Sequence, residues 1–201
     1  ETLRNHDVYY PFHPNRYFYY LCGFQEPNAW LLITQSQTIL WSRDNDPKRT
    51  LWEGSLMGAE ATQKLSIDQW HSLSSLPDTL SEHLKSCQSL LTIGNPPQQV
   101  DLPSTIADGT PLVNSMRIVK DPHEINCIKQ ACSISAKAHN ALIQKAPTFS
   151  NESDIAGLFL NETMQLGSQS LAYPTIAAAN INACTLHYTK NNSKIQKTDL
   201  I

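Results

Sequence analysis

The chain has 201 residues, 40% of them hydrophobic, with a formal net charge of −3 and a sequence pI near 6.2. That length allows one large domain or two small ones around a buried core. The charge balance, without a long basic run, excludes electrostatically driven binding to nucleic acid or a membrane surface, and no stretch has the apolar length of a membrane span. Five cysteines, Cys22, Cys87, Cys127, Cys132 and Cys184, are odd in number and never fall in C-x-x-C spacing, so they are expected as reduced, buried small hydrophobes in a cytoplasmic protein. The chain opens at Glu1 and closes on Asp199, Leu200 and Ile201, residues that look like the start of a strand; an excerpt of a longer polypeptide is expected.

Near the start, Tyr9, Tyr10 and Phe12, then Tyr17, Phe18, Tyr19 and Tyr20, form a dense aromatic cluster, read as core or subunit-contact residues before a ligand platform. Trp30 to Thr34 and Thr38 to Trp41 are β-prone runs separated by Gln35, Ser36 and Gln37, the pattern of a hairpin. Trp52, between Leu51 and the Glu53-Gly54 pair, is expected to be partly exposed and to serve an interface. Leu80 and Leu84 have helical spacing, and Ser89 to Ile93 is a further strand candidate closed by Gly94, Asn95 and two prolines. The first half therefore reads as mixed α/β.

Residues 96–111 are rich in Pro, Gln and Asp and lack periodicity, which predicts a linker, with domains at 1–111 and 112–201. Beyond it, Asp121, Pro122 and Glu124 supply an N-cap, a first-turn proline and the returning carboxylate of a capping box. Ile125, Ile128, Cys132, Ser135, His139 and Leu142 form the expected inward stripe of that helix, which Ala146 and Pro147 end. Ser150, Asn151 and Glu152 open a second helix, with Ile155, Leu158 and Phe159 on one face and Gly167 as its stop. Tyr173 to Ala179 and Ala183 to Thr189 then read as paired strands joined at Asn180, whose residue type tolerates positive φ. On the second of these, Thr185, His187 and Thr189 share a face, so that His187 projects from a sheet.

A histidine on a strand is more often a satisfied structural residue than a catalytic one, and His6, His13, His71, His83, His123 and His139 show no metal-ligand spacing. G-x-G-x-x-G, P-loop, G-x-S-x-G and H-E-x-x-H motifs are all absent, which leaves nucleotide binding, serine hydrolysis and zincin chemistry without support.

Several stretches together resemble the Xaa-Pro aminopeptidases (aminopeptidase P) of the creatinase, prolidase and methionine aminopeptidase superfamily. They are Arg4 to Asp7, Tyr10 to Phe12, Gly23 to Pro27, Leu51 to Gly54, Met116 to Ile125, Tyr173 to Ile176 and Leu186 to Thr189, in the family's order over nearly the whole chain. The resemblance implies an α/β N-terminal domain of creatinase type followed by the first part of an α+β pita-bread catalytic domain. It implies two divalent metal ions, usually manganese, whose carboxylate and histidine ligands would lie beyond Ile201. His187 matches a histidine that lines the substrate site without binding metal. Tyr173 matches a tyrosine near the metals, Asp7 an acidic residue supporting that hydrogen-bond network, and Trp52 a tryptophan that reaches a neighbouring subunit's cleft. The segment before His187, Ala177 to Ala183, departs from the glycines usual in the family.

The expected function is removal of the first residue from peptides with proline in second position, by a homo-oligomer acting through a metal-bound hydroxide. An Xaa-Pro bond has no N–H and a restricted backbone, so it suits a site that grips the carbonyl rather than the extended chain. The rivals are a prolidase acting on Xaa-Pro dipeptides and a non-catalytic pita-bread binding module. The 201-residue chain alone is expected to be inactive.

Overall fold

The computed structural model describes residues 3–6 and 8–201, and the chain divides into two units, Glu1–Ile118 and Val119–Ile201. In the first, an antiparallel pair, β1 (Leu3–Asn5) and β2 (Val8–Tyr9), precedes helix α1 (Arg16–Cys22). Asn15 caps α1 by accepting from the Tyr17 amide at 2.9 Å, and Gly23 ends it at φ 70°, where a side chain would be strained. A three-stranded sheet follows: β3 (Trp30–Ile33) and β4 (Thr38–Ser42) form the predicted antiparallel hairpin, and β5 (Gln69–Ser72) joins β4 in parallel.

β4 is the middle strand, and both its faces are covered. Leu40 packs with Phe24, Ala61 and Ile67, while Ile39 and Trp41 point the other way against Leu76, Leu80 and Leu84 of α4 (Leu76–Leu84). Burial on both faces explains why Ile39, Leu40 and Trp41 run without polar alternation. The buried Trp41 and the half-buried Trp70 each find an acceptor: Trp41 Nε1 donates to Thr79 Oγ1 and Trp70 Nε1 to Ser42 Oγ, both at 2.8 Å. Between β4 and β5 lie α2 (Pro47–Glu53), capped by Asp46 with Pro47 in its first turn, and the single-turn α3 (Ala61–Lys64).

The expected linker is only partly a linker. Residues 105–108 form β7 (Thr105–Asp108), paired in parallel with β6 (Ser89–Thr92), and Asp108 Oδ1 accepts from the Thr110 amide at 2.9 Å as helix α5 (Thr110–Ile118) begins. A four-residue parallel strand exposed on every residue carries no hydrophobic alternation to read. The cysteines also differ from expectation: all are free, but only Cys22 is buried, whereas Cys127, Cys132 and Cys184 are exposed.

The second unit is led by α6 (Pro122–Lys145) and α7 (Glu152–Gln165), both opened by complete capping boxes. Asp121 Oδ1 accepts from the Glu124 amide at 2.8 Å and Glu124 Oε2 from the Asp121 amide at 2.9 Å. The two helices pack together, with the His139 and Phe159 rings edge to face at 4.9 Å between centroids. The predicted inward stripe of α6 is not a buried one: Ile125 and Ile128 are 42% and 49% exposed, Cys132 and His139 are exposed, and only Ala138 of the helix is fully covered. Part of that apolar face lines an open groove of about 580 Å³ with Ile155 and Phe159 of α7 and the stretch from Leu171 to Ile176. Helical periodicity fixes which residues share a face, not whether a partner covers it.

The hairpin expected over residues 173–189 is absent. That stretch is irregular apart from a 3-10 turn, Asn180–Cys184, and the one bridge nearby pairs Asn151 with Lys194. Its amides are taken by other partners: Ala177 N donates to Asn191 Oδ1, Ala179 N to Glu152 Oε1 and Asn180 N to the Leu200 carbonyl. Asn180 does adopt the expected positive φ, at 50°. His187 therefore projects from a turn in a loop rather than from a sheet.

Candidate active site

Glu152 is the first residue of α7, a position where the helix's positive end favours a carboxylate. Its side chain is fully buried and organises the loop that carries His187. Oε1 accepts from the Ala179 amide at 2.8 Å and Asn182 Nδ2 at 2.9 Å, and Oε2 from the Tyr188 hydroxyl at 2.7 Å and the Ser193 amide at 2.9 Å. None of these partners is charged. Burial acts to raise the Glu152 pKa, and the bonds from Tyr188, Ala179, Asn182 and Ser193 outweigh it, holding the carboxyl at about 2 against an ordinary 4.5. The backbone closes the same joint: Glu152 N donates to the Ser193 carbonyl at 2.9 Å and Ile195 N to the Ser150 carbonyl at 2.8 Å.

A second clamp lies beside it. Asn191, at φ 46°, accepts from the Ala177 amide at 2.9 Å and donates to the Thr175 carbonyl at 2.8 Å. Two side chains thus fix residues 175–193 at six backbone or side-chain points, although the segment lacks a ladder.

On this loop Tyr188 is buried and the neighbouring His187, in a turn, is exposed. The imidazole is thereby presented to solvent from an anchored backbone. Tyr173, 69% exposed, stands at the other end of the segment on the rim of the α6–α7 groove. Tyr173 and His187 are not hydrogen-bonded to each other; what they share is the clamped loop. Trp52 lies in the first unit near the end of α2, 82% exposed beside Leu51 at 84%, more open than the partial exposure expected. Asp7 lies outside the described residues. Among the described residues no group of three or more His, Cys, Asp or Glu side chains converges to hold a metal ion. Glu152, Tyr188, Asn182 and Asn191 escaped the sequence reading, which took Glu152 only as a helix opener; the sole signal was the concentration of asparagines from Asn180 to Asn192.

Residues 1–92 match the model of the aminopeptidase P N-terminal domain, and residues 126–201 that of metallopeptidase family M24. A probable Xaa-Pro aminopeptidase of Arthroderma benhamiae is 34% identical over 201 residues, covering 95% of this chain and 40% of the relative. The Xaa-Pro aminopeptidase of Haemophilus influenzae is 32% identical, covering 100% and 50%. Among solved structures, Escherichia coli aminopeptidase P in its low-pH form superposes with a TM-score of 0.89 at 28% identity, over 98% of this chain and 51% of that one. The zinc-substituted form in complex with product gives 0.91 at 27% identity, over 99% and 51%.

The chain thus matches the aminopeptidase P N-terminal domain in its first part and metallopeptidase family M24 in its second.

The α/β character expected of the first domain is the β3–β4–β5 sheet with its covering helices. The aminopeptidase P domain match takes in Asp7 and Trp52; the M24 match takes in Glu152, Tyr173, His187 and Tyr188. The chain spans about half the length, or less, of the relatives it matches.

Proposed function

We propose that this chain forms part of a metal-dependent Xaa-Pro aminopeptidase, in which His187 lines the substrate site. The observation that carries this reading is the continuity of likeness to Xaa-Pro aminopeptidases across 95–100% of the chain, together with an exposed histidine on a loop that buried hydrogen bonds hold in place. In this reading a neutral His187 donates its one N–H to the carbonyl oxygen of the scissile Xaa-Pro bond, where negative charge develops as the carbonyl is attacked. An imidazole serves because it is a directional donor that carries no full charge near neutral pH. Tyr173 completes the wall beside the α6–α7 groove and orients the substrate.

The metal ions, manganese in our proposal, supply the nucleophile and polarise the carbonyl when bound. The described residues of this chain bring no ligand set together, so the steps assigned here concern positioning and hydrogen bonding alone. The reading extends to a cytoplasmic homo-oligomer in which Trp52 and Leu51, exposed side by side, meet a neighbouring subunit at its cleft, with Asp7 supporting the site's hydrogen bonds. Five free cysteines accord with a reducing compartment. No helix among the described residues is long and apolar enough to cross a membrane. The names of the matched relatives favour an aminopeptidase over a prolidase. The test is release of the first residue from an Xaa-Pro tripeptide and from an Xaa-Pro dipeptide by the protein that carries this chain, with and without a chelator. Chelator-sensitive cleavage of the tripeptide supports the reading; activity confined to the dipeptide overturns it in favour of prolidase.

A further inference from the structure

We propose that Glu152 and Tyr188 form a positioning pair for His187, acting through the backbone between them and the imidazole; this rests on the reading of His187 given above. The geometry is that of a lever. Glu152 is fixed at the start of α7, a helix held by its own capping box, with Asp154 Oδ2 accepting from the Asn151 and Ser150 amides at 2.9 Å. Its carboxylate then reaches the loop on both sides of His187: at Ala179 and Asn182 before it, at Tyr188 and Ser193 after it. Tyr188 is the decisive contact. Its hydroxyl is bound at 2.7 Å to Oε2 and lies 3.1 Å from Asn182 Nδ2, so the buried ring fixes the residue adjoining His187 in place.

A structural explanation alone leaves one feature unaccounted for. A loop needing only anchorage is served by apolar packing, whereas a fully buried carboxylate surrounded by uncharged donors carries a large desolvation cost. Directional bonds do what packing does not: they set one register for the loop and so one direction for the side chain that faces the opposite way. Tyr188 is buried while His187, the residue before it in the turn, is exposed. Losing the Tyr188 hydroxyl leaves ring packing intact while removing the directional bond, and Glu152→Gln places an amide N–H among donors that need an acceptor.

The experiment is a double-mutant cycle in the full-length protein carrying this chain, comparing Tyr188→Phe, His187→Ala and the double variant on an Xaa-Pro peptide. Hydrogen exchange over residues 177–193 is followed in each. Tyr188→Phe is expected to lower kcat about tenfold with KM within about twofold, to speed exchange in that segment but not in α6, and to add nothing to the loss caused by His187→Ala. Glu152→Asp, which keeps the charge, is expected to retain more activity than Glu152→Gln. Losses that multiply in the double variant, or full activity in Tyr188→Phe beside a crippled His187→Ala, overturn the positioning role while leaving the histidine reading standing. Full activity in His187→Ala overturns the histidine reading instead and with it the catalytic purpose of the pair. Unchanged exchange in Tyr188→Phe overturns the anchor itself.

Discussion

His187 is exposed and its side chain makes no hydrogen bond among the described residues, while the hydroxyl of the residue after it is bound to the buried Glu152 carboxylate. If His187 lines the substrate site, the anchored backbone spares substrate binding the entropy of ordering the loop. If it donates to the developing oxyanion, His187→Ala in the full-length protein lowers kcat on the order of a hundredfold, and His187→Gln, which keeps an N–H donor, restores part of it. Steady-state kinetics on one peptide distinguish these outcomes from a purely structural role, in which both variants lose equally. At the same scale, Trp41 anchors the first unit: it is fully buried and hydrogen-bonded to Thr79. Trp41→Ala is expected to cost about 3–5 kcal/mol of stability, read as a urea midpoint shift.

Among the elements, α7 is the one whose first residue holds the His187 loop. The Glu152 carboxyl titrates at about 2 in the folded chain and near 4.5 when unfolded. The unfolded chain therefore takes up the proton first, and the stability this group contributes, complete above about 4.5, is lost as pH falls toward about 2. Urea unfolding of the second unit at successive pH values across that window is expected to show a falling midpoint, with a flatter profile in Glu152→Gln. The capping box of α6 makes a smaller claim: Asp121→Ala is expected to cost about 1 kcal/mol, with no change in the pH profile.

These two helices were legible in the sequence because caps and termini are local: Asp121, Pro122 and Glu124, and Asn151 with Gly167, act within a turn of where they stand. The β3–β4 hairpin was legible for the same reason. Alternation over residues 183–189 predicted an extended strand, which the 3-10 turn to Cys184 and the turn at Leu186 and His187 replace; of that reading, the opposite burial of His187 and Tyr188 remains. It did not supply the partner, since the amides of residues 177–180 find Asn191, Glu152 and Leu200, up to 27 residues away in the case of Glu152. Pairing over such distances depends on the tertiary path, which no local pattern records. For the same reason Glu152 read as an ordinary helix opener.

At the scale of the whole molecule, the exposed apolar features divide between the two units: Leu51 and Trp52 on α2, and the groove lined by α6, α7 and Tyr173. If Trp52 serves a neighbouring subunit's cleft, Trp52→Ala leaves thermal stability within about 0.5 kcal/mol and lowers activity on longer peptides, measured alongside sedimentation of the assembly. The M24 match and the likeness to Xaa-Pro aminopeptidases over 95–100% of the chain set the central claim, that this chain contributes His187 to a metal-dependent Xaa-Pro aminopeptidase. The most direct measurement is manganese-dependent release of the first residue from an Xaa-Pro tripeptide by the full-length protein and by its His187→Ala variant, with the 201-residue chain assayed beside them. The account predicts chelator-sensitive release by the full-length protein, a loss on the order of a hundredfold in the variant and none by the 201-residue chain. Equal rates for the full-length protein and the variant, or release that persists in a chelator, would contradict it.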